Sequence, residues 1–110
     1  MAGTLPFEAE PETVAAWRAD GAALAFIDVR EPWETALCLI PGSLAIPLRE
    51  LPGRLADLPT EGPLVIVCHH GGRSAQATHW LRARGVGRAV NLAGGIDRWA
   101  SRMDPEMRRY

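Results

Sequence analysis

The residues with the clearest capacity for chemistry lie in one stretch, CHHGGRS, which occupies residues 68–74. It directly follows the apolar run at residues 64–67, and the residues after it have the period of a helix. A loop that leads from a strand into a helix carries backbone N–H groups that are not used by helical hydrogen bonds, so these groups can point at an anion. Gly71 and Gly72 permit the tight backbone that such a loop requires, and Arg73 adds a fixed positive charge with a planar set of donors.

Cys68 is the candidate nucleophile of this loop. A cysteine in a positive environment is favoured as the thiolate, which is the reactive form of the side chain. The same donors can hold a persulfide on the sulfur, or an anionic substrate that approaches it. The alternative is a structural thiol buried at the end of a strand, but the two glycines, the arginine and the strand-to-helix position together favour a reactive cysteine.

The sequence does not assign one role to the two histidines that follow the cysteine. His69 and His70 can tune the charge of the loop, donate to a substrate or face solvent. Three adjacent residues chelate one ion poorly, and no fourth ligand is suitably spaced to complete a site. We therefore expect no metal in this loop.

The composition is that of one globular domain. The chain has 110 residues, of which 47% are hydrophobic and 23% charged, with a net charge of −1. Its two cysteines form no disulfide framework, residues 1–13 lack the regions of a signal peptide, and no window is long and apolar enough to span a bilayer. We expect a cytoplasmic monomer that binds neither nucleic acid nor a membrane, with the arginines of its C-terminal segment solvated.

Strand and helix patterns alternate along the chain. Strands are predicted at residues 24–29, 44–46, 64–67 and 89–92, and helices at residues 10–20, 31–35, 74–84 and 95–102. The tryptophans are predicted to lie in the core: Trp17, Trp33, Trp80 and Trp99. Apolar strands separated by helices indicate a mostly parallel sheet covered on both faces, an α/β fold of three layers. Ligands of such folds bind beyond the carboxyl ends of the strands, which is where Cys68 lies.

Four segments, taken in order, resemble the single-domain rhodaneses, a family of thiosulfate sulfurtransferase-like domains. They are FIDVREPWE at residues 26–34, LIPGSLAIPL at 39–48, VIVCHHGGRSAQA at 65–77 and NLAGGIDRWA at 91–100. The resemblance implies a rhodanese-like fold whose five-stranded, mostly parallel sheet is flanked by helices. It also implies a single domain over residues 1–110, with a core at about 5–102 and a short tail at 103–110.

The resemblance implies that Cys68 carries sulfur. Its thiolate would take the outer sulfur of thiosulfate or of another sulfane donor, persist as a persulfide, and pass the sulfur to cyanide or to a thiol. The persulfide-binding loop would consist of His69, His70, Gly71, Gly72, Arg73 and Ser74. This chemistry requires no cofactor. Asp28 matches a position that supports the site by hydrogen bonding, whereas Arg30 either faces the substrate or pairs with Glu31 or Glu34.

Other functions remain open on the residues alone. The chain could be a noncatalytic binding module, or a persulfide relay that serves a protein partner. A phosphatase or an arsenate reductase is disfavoured because the related Cdc25-type phosphatases have a loop that is one residue longer than the six residues 68–73. The sequence also departs from the family where Cys38 and Leu39 stand in place of a frequent Gly-His pair. Cys38 is either a small core residue or a resolving thiol for Cys68.

Overall fold

A computed structural model describes residues 4–110. Residues 1–3, which the domain prediction and the signal-peptide argument include, lie outside the described residues. The strands are β1 (Glu8–Ala9), β2 (Ala25–Asp28), β3 (Leu44–Ala45), β4 (Leu64–Val67) and β5 (Ala89–Leu92). The helices are α1 (Pro11–Ala19), α2 (Pro32–Thr35), α3 (Gly72–Ala83) and α4 (Gly95–Met103), with 3-10 helices at Leu48–Gly53 and Leu55–Asp57.

The strands form one parallel five-stranded sheet in the order β1-β5-β4-β2-β3, which confirms the α/β fold. The central strand β4 is buried at every position, because helices cover both faces of the sheet. Its neighbours pair in a register that sets Asp28 beside Val67 and Asn91 beside Ile66. The polar ends of β2 and β5 therefore lie on either side of the loop that begins at Cys68.

The alternation of side chains along β4 divides the core into two clusters. Ile66 and Cys68 pack on one face with residues of α3, such as Leu81. Val67 packs on the other face with residues of α4, such as Trp99. The three layers are therefore α3 with the 3-10 helices, the sheet, and α1 with α4.

The structure differs from the sequence prediction in several elements. β1 was not predicted because it has only two residues, and α3 begins at Gly72, two residues earlier than the periodicity indicated. Two short 3-10 helices, Leu48–Gly53 and Leu55–Asp57, had no counterpart in the predicted elements, and Pro52 lacks the N–H donor of a continuous helix.

The prediction that every tryptophan lies in the core was wrong for Trp33, which is 63% exposed. Trp99 is buried as predicted, and Trp17 and Trp80 are half-buried. Among the described residues, no helix combines the length and apolar character needed to cross a membrane.

Candidate active site

Cys68 lies directly after β4, on the floor of the loop that leads into α3. Its side chain is buried, with 1% of the residue exposed. The Gly71 N–H donates to Cys68 Sγ at 3.1 Å, and the Ser74 hydroxyl oxygen lies 3.2 Å from the same sulfur. Gly71 has a φ of +107°, in the region that favours glycine, which turns its amide towards the sulfur just before the helix begins.

The helix start supplies further donors. Among residues 4–110, the N–H groups of Gly72, Arg73 and Ser74 donate to no backbone carbonyl, because each lies in the first turn of α3. The aligned peptide dipoles of this 12-residue helix add partial positive charge at the same end. An anion at this point could accept from these groups, and the anion-binding role of residues 69–74 stays a prediction.

The N-terminus of α4 holds the loop from the other side. The Ile96 N–H donates to the Cys68 carbonyl at 2.8 Å, and the Asp97 N–H donates to the His69 carbonyl at 3.1 Å. Gly95 permits this approach, because a Cβ atom at that position would lie 2.5 Å from the Cys68 carbonyl oxygen and 2.4 Å from that of His69. Gly95 thus allows the start of α4 to hold the backbone that carries the cysteine.

Arg73 does not present a free donor set to the site. Its two terminal nitrogens donate to the two carboxylate oxygens of Glu34 at 2.6 and 2.7 Å. This pairing lowers the pKa of Glu34 to about 2 and raises the pKa of Arg73. The positive charge predicted for the loop is present, but a buried carboxylate from α2 neutralises much of it.

Arg30 corrects the sequence prediction, since it neither faces the substrate nor pairs with the carboxylates of Glu31 or Glu34. It is fully buried and forms an ion pair with Asp28, in which Nε and a terminal nitrogen donate to the carboxylate at 2.8 to 3.1 Å. The supporting role proposed for Asp28 is therefore directed at Arg30. A buried arginine requires such a partner, because an unpaired charge in the core is strongly unfavourable.

The Arg30 guanidinium also organises the segment that carries Glu34. It donates to the Glu34 carbonyl at 3.3 Å and to the Cys38 carbonyl at 2.8 Å. The backbone around α2 is thus fixed by the arginine, while the side chain of Glu34 holds Arg73. Asp28 and Arg30 therefore contact the loop only indirectly, through Glu34.

Tyr110 is a site residue that the sequence analysis missed. Its ring stacks on His69, with centroids 3.9 Å apart and planes within 8°. The hydroxyl donates to Glu34 Oε2 at 2.7 Å and accepts from Arg30 at 2.9 Å. Burial raises the pKa of Tyr110 to about 12, and the hydrogen bond to Glu34 adds to this shift. The C-terminal segment, predicted as a short tail, therefore returns to the loop.

The two histidines lie differently in the site. Their rings stack at 3.9 Å, but His70 is exposed, whereas His69 is partly covered between His70 and Tyr110. The Nε2 atom of His69 is buried and has no hydrogen-bond partner among the described residues. No group of three or more potential metal ligands converges within residues 4–110.

Asn91 is the second site residue that was missed. Its Oδ1 accepts a hydrogen bond from the Ser74 hydroxyl, and its Nδ2 donates to Glu8 at 2.9 Å and to the Gly71 carbonyl at 3.2 Å. One polar residue inside the otherwise apolar strand AVNL was the available signal. The side chain joins β5 and β1 to the loop.

Cys38 packs against the cluster on the α4 face of the sheet, while Cys68 packs in the cluster on the α3 face. Its thiol is half-buried and lies 3.7 Å from Arg30 Nη1. The placement is that of a small residue at the edge of the core. A resolving role for Cys38 stays a prediction.

A family model described as a rhodanese-like domain matches residues 10–102. The chain is 38% identical over 93 residues to a sulfurtransferase of Allochromatium vinosum, which covers 84% of this chain and 87% of that protein. It is 37% identical over 93 residues to the thiosulfate sulfurtransferase GlpE of Pseudomonas fluorescens, covering 83% of this chain and 82% of GlpE.

Two further similarities concern a larger protein and a solved structure. The chain is 39% identical over 102 residues to the probable adenylyltransferase/sulfurtransferase MoeZ of Mycobacterium tuberculosis, of which it spans only 26%. The structure of the human single-domain sulfurtransferase TSTD1 superposes with a TM-score of 0.77 at 31% identity, covering 89% of this chain and 98% of TSTD1.

Proposed function

This chain belongs to the rhodanese-like family, and we propose that it is a sulfurtransferase that carries sulfur as a persulfide on Cys68. The observation that carries the proposal is the position of Cys68 Sγ, 3.1 Å from the Gly71 amide at the N-terminal end of α3. Preorganised donors at such a point stabilise a negative sulfur. The name of the relative GlpE supports thiosulfate as one donor.

In the first half of the reaction, the Cys68 thiolate attacks the outer sulfur of thiosulfate. A bond forms between the two sulfur atoms, the sulfur–sulfur bond of thiosulfate breaks, and sulfite leaves with the electron pair. The product is a Cys68 persulfide whose terminal sulfur carries the negative charge. The N–H groups of Gly72, Arg73 and Ser74 donate to no backbone carbonyl, so they are donors of the loop that can stabilise this charge.

In the second half, a nucleophile attacks the terminal sulfur of the persulfide. With cyanide as acceptor, a carbon–sulfur bond forms, the persulfide bond breaks, and the products are thiocyanate and the Cys68 thiolate. With a thiolate as acceptor, the product is a new persulfide on the acceptor. No change in the net oxidation state of the protein occurs over the cycle, so no cofactor is needed.

The Arg73–Glu34 pair supports sulfur transfer over phosphate hydrolysis. A phosphate site relies on an arginine whose planar donor set is free to bind two oxygens of the phosphate. Here Glu34 already occupies both terminal nitrogens of Arg73. The remaining donors are mainly backbone amides, which suit a single anionic sulfur, and this agrees with the short loop at residues 68–73.

Intact-mass spectrometry tests the proposal directly. The reduced protein is incubated with thiosulfate, beside the variant Cys68→Ala and the matched control Cys38→Ser. We expect the mass of one added sulfur in the native protein and in Cys38→Ser, none in Cys68→Ala, and loss of that sulfur with release of thiocyanate after cyanide is added. Absence of added sulfur in folded, reduced native protein would remove thiosulfate as donor.

A second candidate is transfer of the persulfide to a protein acceptor. The observation that favours it is Trp33, whose 63% exposed side chain packs edge-on against Tyr110, with ring centroids 5.9 Å apart. Exposed tryptophans are enriched at the centres of protein interfaces. The test loads the native protein and the variant Trp33→Ala with sulfur and measures the rate at which each releases it. The acceptors are cyanide and reduced thioredoxin, which serves as a probe dithiol protein. A variant that transfers sulfur more slowly than the native protein to thioredoxin, but at the native rate to cyanide, supports a protein acceptor. Native rates to both acceptors in the variant oppose it.

A further inference from the structure

The Ser74 hydroxyl has one hydrogen and two neighbours that can receive it. It donates to Asn91 Oδ1, and its oxygen lies 3.2 Å from Cys68 Sγ. All three residues are buried. The neighbour that does not receive the Ser74 hydrogen, Asn91 Oδ1 or Cys68 Sγ, therefore cannot accept a hydrogen bond from bulk water instead.

The orientation of the Asn91 amide follows from its other partners. Its second polar atom lies 2.9 Å from the Glu8 carboxylate and 3.2 Å from the Gly71 carbonyl. Carboxylate and carbonyl oxygens accept hydrogen bonds and do not donate them, so this atom is the NH2 group. The atom that faces Ser74 is consequently the amide oxygen, which can only accept.

The hydrogen of Ser74 is thus directed at Asn91, and a lone pair of Ser74 Oγ is directed at Cys68. A thiol fits this arrangement because its S–H can donate to that lone pair. A thiolate does not fit, since the negative Sγ would then face a lone pair. The Ser74 hydrogen can serve the anion only by leaving Asn91, whose buried Oδ1 would lose its donor.

We propose that Asn91 is a positioning residue that holds the Ser74 hydroxyl away from Cys68, so that the anionic sulfur competes with Asn91 for one hydrogen. The role within sulfur transfer rests on the proposed function. When Cys68 ionises, the proton of its thiol passes to solvent. The Ser74 hydrogen stays on its own oxygen and only turns from Asn91 towards the sulfur. The arrangement limits the thiolate fraction of the resting enzyme, which sets how much of Cys68 is ready to attack a sulfur donor.

The test measures the alkylation of Cys68 by iodoacetamide, with Cys38→Ser as the background of every variant so that one thiol reacts. The readout is the alkylation rate at neutral pH divided by the rate at alkaline pH, where the thiol is ionised. This ratio reports the thiolate fraction and is insensitive to access. Asn91→Ala frees the Ser74 hydrogen for Cys68, and we expect the ratio to rise about two- to tenfold, the range of one hydrogen bond.

A double-mutant cycle separates this route from a loosening of the loop, since Asn91 also binds the Gly71 carbonyl. In the Ser74→Ala background, Asn91→Ala should leave the ratio unchanged, because no hydroxyl remains to redirect. The matched control is Thr78→Val, which removes a buried hydroxyl that donates to the Ser74 carbonyl at 2.7 Å and leaves the Ser74 hydroxyl untouched. We expect it to leave the ratio at the native value.

Two outcomes overturn the inference: an unchanged or lower ratio in Asn91→Ala, or an equal rise in the presence and absence of Ser74. If Asn91→Ala does not fold, Asn91→Leu removes the same amide while filling its space and is measured in its place. Alkylation requires no sulfur donor, so this result is independent of whether thiosulfate loads Cys68. A raised ratio without sulfur loading from thiosulfate would remove thiosulfate as donor and leave this inference standing.

Discussion

The guanidinium of Arg73 and the carboxylate of Glu34 form a bidentate ion pair that ties the start of α3 to α2. The side chain of Glu34 is 4% exposed, whereas that of Arg73 is 37% exposed. The carboxylate therefore depends on the arginine and on Tyr110 for most of its hydrogen bonds, while the arginine retains some contact with water. Because the Glu34 carboxylate is almost fully buried, we expect its loss to change the free energy of unfolding measurably.

Replacing Glu34 by Gln should destabilise the protein in a pH-dependent way. The pKa of Glu34 is lowered from 4.5 to about 2, chiefly by the hydrogen bonds from Arg73. A carboxylate whose pKa is lowered by folding stabilises the folded protein at pH values above its ordinary pKa. This stabilisation is lost as the pH falls from about 4.5 towards 2. After allowance for the exposure of Arg73, we expect Glu34→Gln to lower the free energy of unfolding by about 1–2 kcal/mol at neutral pH.

Urea unfolding of native protein and Glu34→Gln at a series of pH values measures this difference, which should shrink through the acid range. The matched control is Glu10→Gln, since Glu10 accepts two hydrogen bonds from Arg98 in an exposed pair. Exposed pairs contribute little, so we expect a change below about 1 kcal/mol there. A pH-independent loss in Glu34→Gln would contradict the electrostatic origin of the effect.

Tyr110 provides a spectroscopic report on the docked C-terminal segment, because it is the only tyrosine in the chain. Burial and the hydrogen bond to Glu34 raise its pKa from 10.0 to about 12. A raised pKa contributes stability that is fully present below pH 10 and is lost as the pH rises towards 12. We therefore expect the phenolate absorbance of the native protein to develop with a midpoint about two units above that of the urea-unfolded chain. Coincident midpoints would mean that Tyr110 is not docked on His69.

The elements that could be predicted from the sequence are those fixed by local patterns. β4 and β5 were predicted with their observed bounds, because each is a short, mainly apolar run that stands out from the sequence before it. The loop at residues 68–74 was recognised for the same reason, since its cysteine, glycines and arginine lie within six residues of the chain. Local information was enough to locate the candidate nucleophile.

The partners of the charged residues could not be predicted in this way. Arg30 has Glu31 and Glu34 as near neighbours in sequence, yet it pairs with Asp28, because the end of β2 directs both side chains into the core. Arg73 finds Glu34, and Tyr110 finds His69, only after the sheet has brought distant segments together. Sequence spacing contains no direct information about such tertiary contacts.

The buried pair of Asp28 and Arg30 should be among the most sensitive parts of the core. Both side chains are fully buried. Asp28→Ala removes the carboxylate and leaves the guanidinium without its main partner, and we expect a loss of about 3–5 kcal/mol in the free energy of unfolding. Arg49→Ala is the control, because its ion pair with Glu31 is exposed and should change stability by less than about 1 kcal/mol. Equal, small losses in urea unfolding of both variants would contradict the buried-pair interpretation.

Gly95 tests whether α4 positions the cysteine. Gly95→Ala places a Cβ atom at a φ of +63° and within 2.5 Å of the Cys68 and His69 carbonyl oxygens, so α4 must move and its hydrogen bonds to the loop weaken. We expect a loss of at least about 2 kcal/mol in the free energy of unfolding and a clear fall in the rate of sulfur loading from thiosulfate. Gly87→Ala is the matched control, because Gly87 has open space around its Cα and no positive φ. Both quantities should stay near native values there, and a native loading rate in folded Gly95→Ala would mean that the loop keeps its geometry without α4.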